Sequence, residues 1–180
     1  MGRIYYLLGK SATGKDTLYK EILKRRPKLR TVTMYTTRPI REGETDGVEY
    51  FFTGREELER QLASGKVIES TVDDGQFNVA DDESCLMIGT LESYEKMCTY
   101  FESGKMVPVY IEVPDGIRLL RAVKREENQK KPNYREVCRR YLADEKDFSE
   151  ENLERLGVTK RYQNTDMEIC VEEILRDLDK

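Results

Sequence analysis

The stretch Gly9-Lys10-Ser11-Ala12-Thr13-Gly14-Lys15-Asp16-Thr17 constrains this chain more than any other. A short apolar run, Ile4-Tyr5-Tyr6-Leu7-Leu8, precedes it and reads as a buried strand. Leu18 to Leu23 follows and reads as an amphipathic helix. Strand, glycine-bounded loop and helix together make the setting of a phosphate-binding loop, whereas the bare motif would also suit an ordinary βα turn. Gly9 allows a sharp turn off the strand. Gly14 has no Cβ and lets the backbone approach a polyphosphate. The start of the helix offers unpaired N–H groups and the positive end of its dipole. Ser11, Ala12 and Thr13 complete the cradle, and Lys15 reaches the β- and γ-phosphates as a flexible point charge. One position departs from the motif. Asp16 stands where a Ser or Thr normally ligates magnesium, and Thr17 follows with a hydroxyl. The carboxylate suits both magnesium and a helix N-terminus, although it is a poor neighbour for a triphosphate.

The 180 residues suffice for one domain with a real core. Charged residues make up 37% and hydrophobic residues 38%, which fits a soluble globular protein. A net charge of -4 gives no electrostatic reason to expect nucleic acid as a partner. The absence of histidine removes serine–histidine catalysis, His-ligated zinc and imidazole acid–base chemistry. Cys85, Cys98, Cys138 and Cys170 form no CxxC pair and read as reduced core thiols. The first apolar run is too short for a signal peptide or a membrane span, and Tyr6 stands where a myristoylation signal needs Ser or Thr. The expectation is a cytoplasmic protein with no membrane partner.

Strands and helices alternate along the chain, without internal repeats, which predicts an α/β fold with a mostly parallel sheet. Leu29 to Tyr35 reads as a second strand and Val48 to Phe52 as a short one, with a polar turn-rich stretch from Thr36 to Gly47 between them. Thr53-Gly54-Arg55-Glu56 has the form of a capping box before a helix closed by Gly65. Val67 to Glu69 reads as a strand, 71–84 as loop, Cys85 to Ile88 as a buried strand and Val107 to Val113 as another. Helices are expected from Thr90 or Glu92 to Phe101, from Ile117 to Arg125 and from Tyr134 to Phe148. The polar segment Glu126 to Asn133 separates the last two. Tyr162 begins the last strand, and a second capping box, Thr165-Asp166-Met167-Glu168, opens the final helix.

Arginines form two constellations. Arg38 and Arg41, with Tyr50, could grip a second phosphate-bearing ligand through bidentate guanidinium contacts; solvated loop arginines are the plainer alternative. Arg118, Arg121 and Arg125 share one helix face, and Arg139 and Arg140 lie on the next helix. Such a pair of helices over a phosphate loop would form a lid, and phosphoryl transfer needs groups of this kind to neutralise charge. A charged exposed hairpin is the alternative.

The phosphate loop, then Thr-Thr-Arg-Pro-x-Arg-x-Gly-Glu-x-Asp-Gly-x-x-Tyr-Phe-Phe over Thr36 to Phe52, then Val67-Ile68-Glu69, resembles the guanylate kinases. These P-loop nucleoside-monophosphate kinases pass a phosphate from ATP to GMP. The similarity is closest over residues 3–69 and continues weakly to the end. It implies a P-loop NTPase-type parallel sheet flanked by helices, in a single domain over 1–180. The core would span about 1–35 and 85–180, an acceptor-binding insertion about 36–84 and a helical lid about 118–140. By resemblance, Arg38, Arg41 and Tyr50 hold the GMP phosphate, and Glu69 accepts from guanine. Arg121 and Arg125 are the lid arginines, with Glu126 in place of the usual following Gly. Arg140 contacts the transferred phosphate, and Asn164 lies near the adenine. Lys15, Arg41, Arg125 and Arg140 are the implied catalytic set. Magnesium accompanies ATP, with Asp16 or Thr17 beside it.

Four departures bear on the acceptor. Besides Asp16, Met34 replaces a frequent Ser, and Met87-Ile88-Gly89-Thr90 stands where the family has Asp-Ile-Asp. The Tyr-Tyr-Gly-Thr/Ser return of the acceptor hairpin is not recognisable; Asn78 and Ala80 occupy its place without a gap. A hairpin needs on the order of ten residues. Either it is lost, leaving an open pocket with poor base discrimination, or a segment is missing between Ser70 and Thr71. The second is the expectation, with Cα atoms there further apart than the roughly 3.8 Å of a trans peptide. Gly14-Lys15-Asp16 also resembles the ribose 1,5-bisphosphate phosphokinases, which lack the Thr36 to Phe52 block. A non-catalytic guanylate-kinase-like binding module is a third reading, against which Gly14 and Lys15 argue.

Overall fold

The computed structural model describes residues 2–31, 35–37, 39–40, 45–47, 50–63, 67–68, 71–72, 84–101 and 104–179. Strand β1 (Ile4–Leu8) is buried along its whole length and sits at the centre of the molecule. It leads through the glycine-bounded loop into helix α1 (Lys15–Arg25), whose first bond runs from Leu18 N–H to the Gly14 carbonyl. Then come β2 (Arg30–Thr31), β3 (Tyr35–Thr36), β4 (Phe51–Phe52), α2 (Arg55–Ala63), β5 (Val67–Ile68) and β6 (Thr71–Val72). The remaining elements are β7 (Cys85–Ile88), α3 (Leu91–Tyr100), β8 (Met106–Glu112), α4 (Asp115–Glu127), α5 (Tyr134–Asp147), α6 (Glu150–Arg155), β9 (Arg161–Gln163) and α7 (Met167–Leu178).

Among the described residues, five strands form one parallel sheet in the order β2-β7-β1-β8-β9. The period-2 pattern of β1 serves both faces. Ile4, Tyr6 and Leu8 join Met87 and Tyr110 in a core closed by Leu91, Tyr94 and Met97 of α3 and by Phe148 and Leu153. Tyr5 and Leu7 join Leu86, Val109 and Ile111 against Leu18 and Ile22 of α1 and Val171 and Ile174 of α7. Helices thus cover both faces, as a parallel sheet requires. The loops leaving the carboxyl ends of β1, β7, β8 and β9 then gather at one edge, where α/β folds bind their ligands. The expected α/β architecture with a P-loop NTPase-type sheet is what the chain adopts.

Local structure corrects several expectations. The final helix is capped by Asp166, which accepts the Ile169 N–H, and not by Thr165 one residue earlier. Leu58 N–H bonds to the Gly54 carbonyl, so Gly54 rather than Thr53 opens α2. Glu126 and Glu127 are helical, because α4 runs two residues beyond Arg125. Asn133 ties off the following turn: its side chain accepts the Glu136 N–H, and its own N–H donates to Glu126.

Thr71 and Val72 form a strand where loop was expected. They pair antiparallel with β5, Ile68 opposite Thr71 and Val67 opposite Val72. The sequence runs without interruption through Ser70 and Thr71, and the two strands on either side are hydrogen-bonded neighbours. The full sequence thus holds no gap at this point, while the junction itself lies outside the described residues. Met34, Arg38, Arg41, Glu69, Asn78 and Ala80 lie outside the described residues.

Candidate active site

The loop after β1 is closed by its own side chains. Lys15 Nζ donates to the carbonyl oxygens of Gly9 at 2.7 Å and Lys10 at 3.0 Å. Thr13 is buried, and its hydroxyl donates to the Lys10 carbonyl at 2.9 Å. Ala12 takes a left-handed conformation at φ 63°, and Gly14 does so at φ 89°. A Cβ on Gly14 would lie 2.6 Å from Asn164 Nδ2, and one on Gly9 2.5 Å from the Ile111 carbonyl oxygen. Both glycines are therefore demanded by close approach as well as by the turn. Gly14→Ala is expected to cost the protein triphosphate affinity by at least about tenfold, since strain and the Asn164 clash must distort the cradle. Isothermal titration with ATP checks this.

Asn164 follows β9 and is 5% exposed. Its Nδ2 donates to the Thr13 carbonyl at 2.7 Å, and its own carbonyl accepts Arg121 Nη2 at 3.1 Å. The Asn164 side chain thus braces the loop, while its backbone carbonyl holds Arg121 of α4. The resemblance gave Asn164 a place near the adenine; the geometry adds a structural duty that spacing alone could not reveal.

The three arginines of α4 diverge. Arg118 is 1% exposed, with its guanidinium over the Tyr141 ring at 4.3 Å. It bonds Asp115 Oδ1 (3.0 Å from Nη2), Asp144 Oδ2 (3.0 Å from Nη1) and Glu145 Oε1 (2.5 Å from Nη2). Lys10 adds a pair to Glu145 at 2.8 Å. Asp144 in turn accepts the Ser11 N–H at 2.7 Å and faces the Ser11 hydroxyl at 3.3 Å. Arg118 therefore belongs to an ionic hub joining α4, α5 and the loop, and does not share Arg125's exposure to the cleft. Asp144 and Glu145 escaped the sequence reading; the one available signal was that Asp144 falls one helical turn after Arg140.

A cleft of about 680 Å³ opens beside the loop. Ser11, Ala12, Lys15, Asp16, Arg125 and Arg140 line it, together with Tyr50, Thr90, Ser93, Glu95 and Arg155. The Tyr50 ring packs against the β1–α3 core, and its carbonyl accepts the Gly47 N–H. A second cavity, about 870 Å³, lies between α4 and α5 and reaches Pro39 and Ile40, the neighbours in sequence of Arg38 and Arg41. Arg140 Nε donates to Glu136 at 2.8 Å. Arg139 first, then Arg140, hold the Glu136 carboxyl at about 2, so it remains ionised.

Burial lowers the pKa of Lys15; Asp16 and Asp144 oppose that, while Arg125 and Arg118 add to it. The lowered value means that the surroundings of Lys15 disfavour the charged ammonium. A polyphosphate favours it. As pH rises through the lowered pKa, nucleotide binding must therefore take up a proton. Titration calorimetry in buffers of different ionisation enthalpy is expected to show uptake growing with alkalinity, and Lys15→Met to abolish it.

Asp16 is exposed at the first turn of α1 and lines the cleft; Thr17 is exposed beside it. Among the described residues, no group of three or more His, Cys, Asp or Glu side chains could hold a metal on its own. A single carboxylate beside a phosphate cradle nevertheless fits magnesium, which takes one or two carboxylates and completes its shell from phosphates and water. No helix among the described residues is long and apolar enough to cross a membrane.

A parallel sheet with a lysine-closed, glycine-bounded loop at its carboxyl edge has the form of a P-loop NTPase-type fold. Residues 1–82 match the family model "Guanylate kinase". A guanylate kinase of Symbiobacterium thermophilum is 44% identical over 68 residues, which is 38% of this chain and 32% of that protein. One from Nostoc sp. is 33% identical over 120 residues, covering 67% of this chain and 54% of that protein. The chain spans roughly a third to a half of the curated relatives it matches. The crystal structure of guanylate kinase from Anaplasma phagocytophilum superposes with a TM-score of 0.71 at 20% identity, over 99% of this chain and 85% of that one, and shows the fold. The family-model match and these relatives make the chain similar to guanylate kinases over part of their length.

Proposed function

We propose that this protein is an ATP-dependent nucleoside-monophosphate kinase whose acceptor is GMP, giving GDP. The observation that carries the reading is that Arg125 and Arg140 line the same cleft as the Lys15-closed loop. Phosphoryl transfer needs little covalent help from the protein; it needs the donor held in line and spreading charge neutralised. The loop from Gly9 to Thr17 would hold the triphosphate, with Lys15 on the transferred group. Arg121, anchored at Asn164, lies on the nucleotide side, while Arg125 and Arg140 neutralise equatorial oxygens. No general base is needed, because the acceptor phosphate is already nucleophilic. Asp16, with Thr17 adjacent, would hold magnesium when it binds with ATP, and the ion would offset phosphate charge there. Arg38, Arg41 and Tyr50 are proposed for the acceptor phosphate and Glu69 for guanine. That division makes 36–84 the acceptor-binding insertion and 118–140 the lid. The proposed setting is the cytoplasm, where the thiols Cys85 and Cys170, buried in the core, stay reduced.

The names of the relatives support GMP as acceptor. The antiparallel pairing of β5 with β6, Ile68 opposite Thr71, favours a second reading in which base discrimination is relaxed. A panel of nucleoside monophosphates, plus ribose 1,5-bisphosphate, tested with ATP and magnesium separates these. GMP is expected to lead the panel. Equal rates with AMP, CMP and UMP would remove the guanine assignment. Activity with the sugar bisphosphate alone would move the protein to that neighbouring reaction. ATP binding without any transfer would make it a binding module.

A further inference from the structure

Asp144 joins the helix of Arg140 to the phosphate loop. Its Oδ2 accepts the Ser11 backbone N–H at 2.7 Å and Arg118 Nη1 at 3.0 Å, and the Ser11 hydroxyl lies 3.3 Å from its Oδ1. The side chain is only 14% exposed, so these bonds are shielded from water. The hub has charged partners on every element around it: Asp115 and Arg118 of α4, Glu145 of α5 and Lys10 of the loop. Arg118 answers the Asp144 charge, so Asp144 sits as a tether and not as an uncompensated anion in the cradle. The N–H groups that open α1 have no partner within that helix, and a bound polyphosphate can still use them.

Arg140 and Asp144 are four apart on α5 and therefore share a face. Both line the cleft with Ser11, Lys15 and Asp16. A stiff helix pinned to the loop at Asp144 has one height and one rotation relative to that loop. Those two quantities decide whether the Arg140 guanidinium, now on Glu136, reaches the anion after one change of side-chain rotamer.

We propose that Asp144 is a positioning residue for phosphoryl transfer: it registers α5 on the phosphate loop so that Arg140 meets the transferred group. The inference rests on the phosphoryl-transfer reading given above. Misplacing a catalytic group by about 1 Å can cost on the order of 100-fold. Asp144→Ala is therefore expected to lower kcat by about 10–100-fold while KM for ATP changes by less than about threefold. Asp144→Asn keeps an oxygen for the Ser11 N–H and an amide for its hydroxyl, and is expected to recover most of the loss. In an Arg140→Met background, Asp144→Ala should cost less than about threefold, because there is no longer an arginine to position.

The experiment combines these kinetics with hydrogen exchange of the unliganded protein. Asp144→Ala should speed exchange at the Ser11 amide and over Tyr134 to Arg140 by at least about tenfold, leaving β1 at the wild-type rate. Unchanged exchange there overturns the tether whether or not the protein turns over nucleotides. Costs that multiply in the double variant, or an alanine variant whose only defect is a lower melting temperature, overturn the positioning role. A wild-type protein that transfers nothing to any acceptor refutes the kinase reading instead, and with it the link to Arg140, while the exchange result still decides the tether.

Discussion

Lys15→Ala is expected to lower kcat by about 100–1,000-fold, the loss typical when one group stabilising transition-state charge is removed. In the unliganded site its ammonium is held by two loop carbonyls, from Gly9 and Lys10, and burial disfavours its charge. That pre-set position costs no reorganisation when charge develops on the transferred group. The ammonium's attraction grows as negative charge moves toward the bridging and terminal oxygens, so most of the effect should fall on kcat and little on ATP affinity. Single-turnover kinetics at saturating nucleotide, alongside ATP titration, checks the split. Full turnover by the variant would make the loop an ordinary βα turn.

Arg118→Ala is expected to destabilise the fold by about 3 kcal/mol, the low end for breaking a buried ion pair. The low end applies because Asp115 and Glu145 are 48% and 38% exposed and water takes over part of their charge. Asp144, at 14%, is left with less recourse. In a chain of this length that corresponds to a fall in melting temperature of roughly 6–12 °C, measurable by calorimetry. Arg118→Met, which keeps the apolar stem but loses the guanidinium over Tyr141 and its charge, should recover little. An alanine variant that melts like the wild type would show the hub to be neutral for stability.

Sequence revealed the parts of this molecule whose physics is local. The apolar run Ile4 to Leu8, the glycines and Lys15 announce a strand, a turn and an anion cradle within a few residues of one another. Alternation of strands and helices then implies a parallel sheet with covered faces. What stayed hidden depends on which helix meets which. Arg118, Arg121 and Arg125 look equivalent on a helical wheel, yet packing of α4 against α5 buries the first in carboxylates 26 and 27 residues away. Asn164 lies 151 residues from Thr13, and only the closing of the sheet by β9 brings it under the loop. The shift of a cap from Thr165 to Asp166 is a different failure: both side chains can cap, and the register of α7 on the core chose. The acceptor side remains an expectation from resemblance, since Arg38, Arg41 and Glu69 lie outside the described residues.

The proposed reaction transfers a phosphoryl group from ATP to GMP at the Lys15 loop. Incubation with ATP labelled in its γ-phosphate, GMP and magnesium measures it directly. The label is predicted to appear in the β-phosphate of GDP, at a rate cut sharply by Lys15→Ala. Label that stays in ATP, or emerges only as inorganic phosphate from a folded protein, would contradict it.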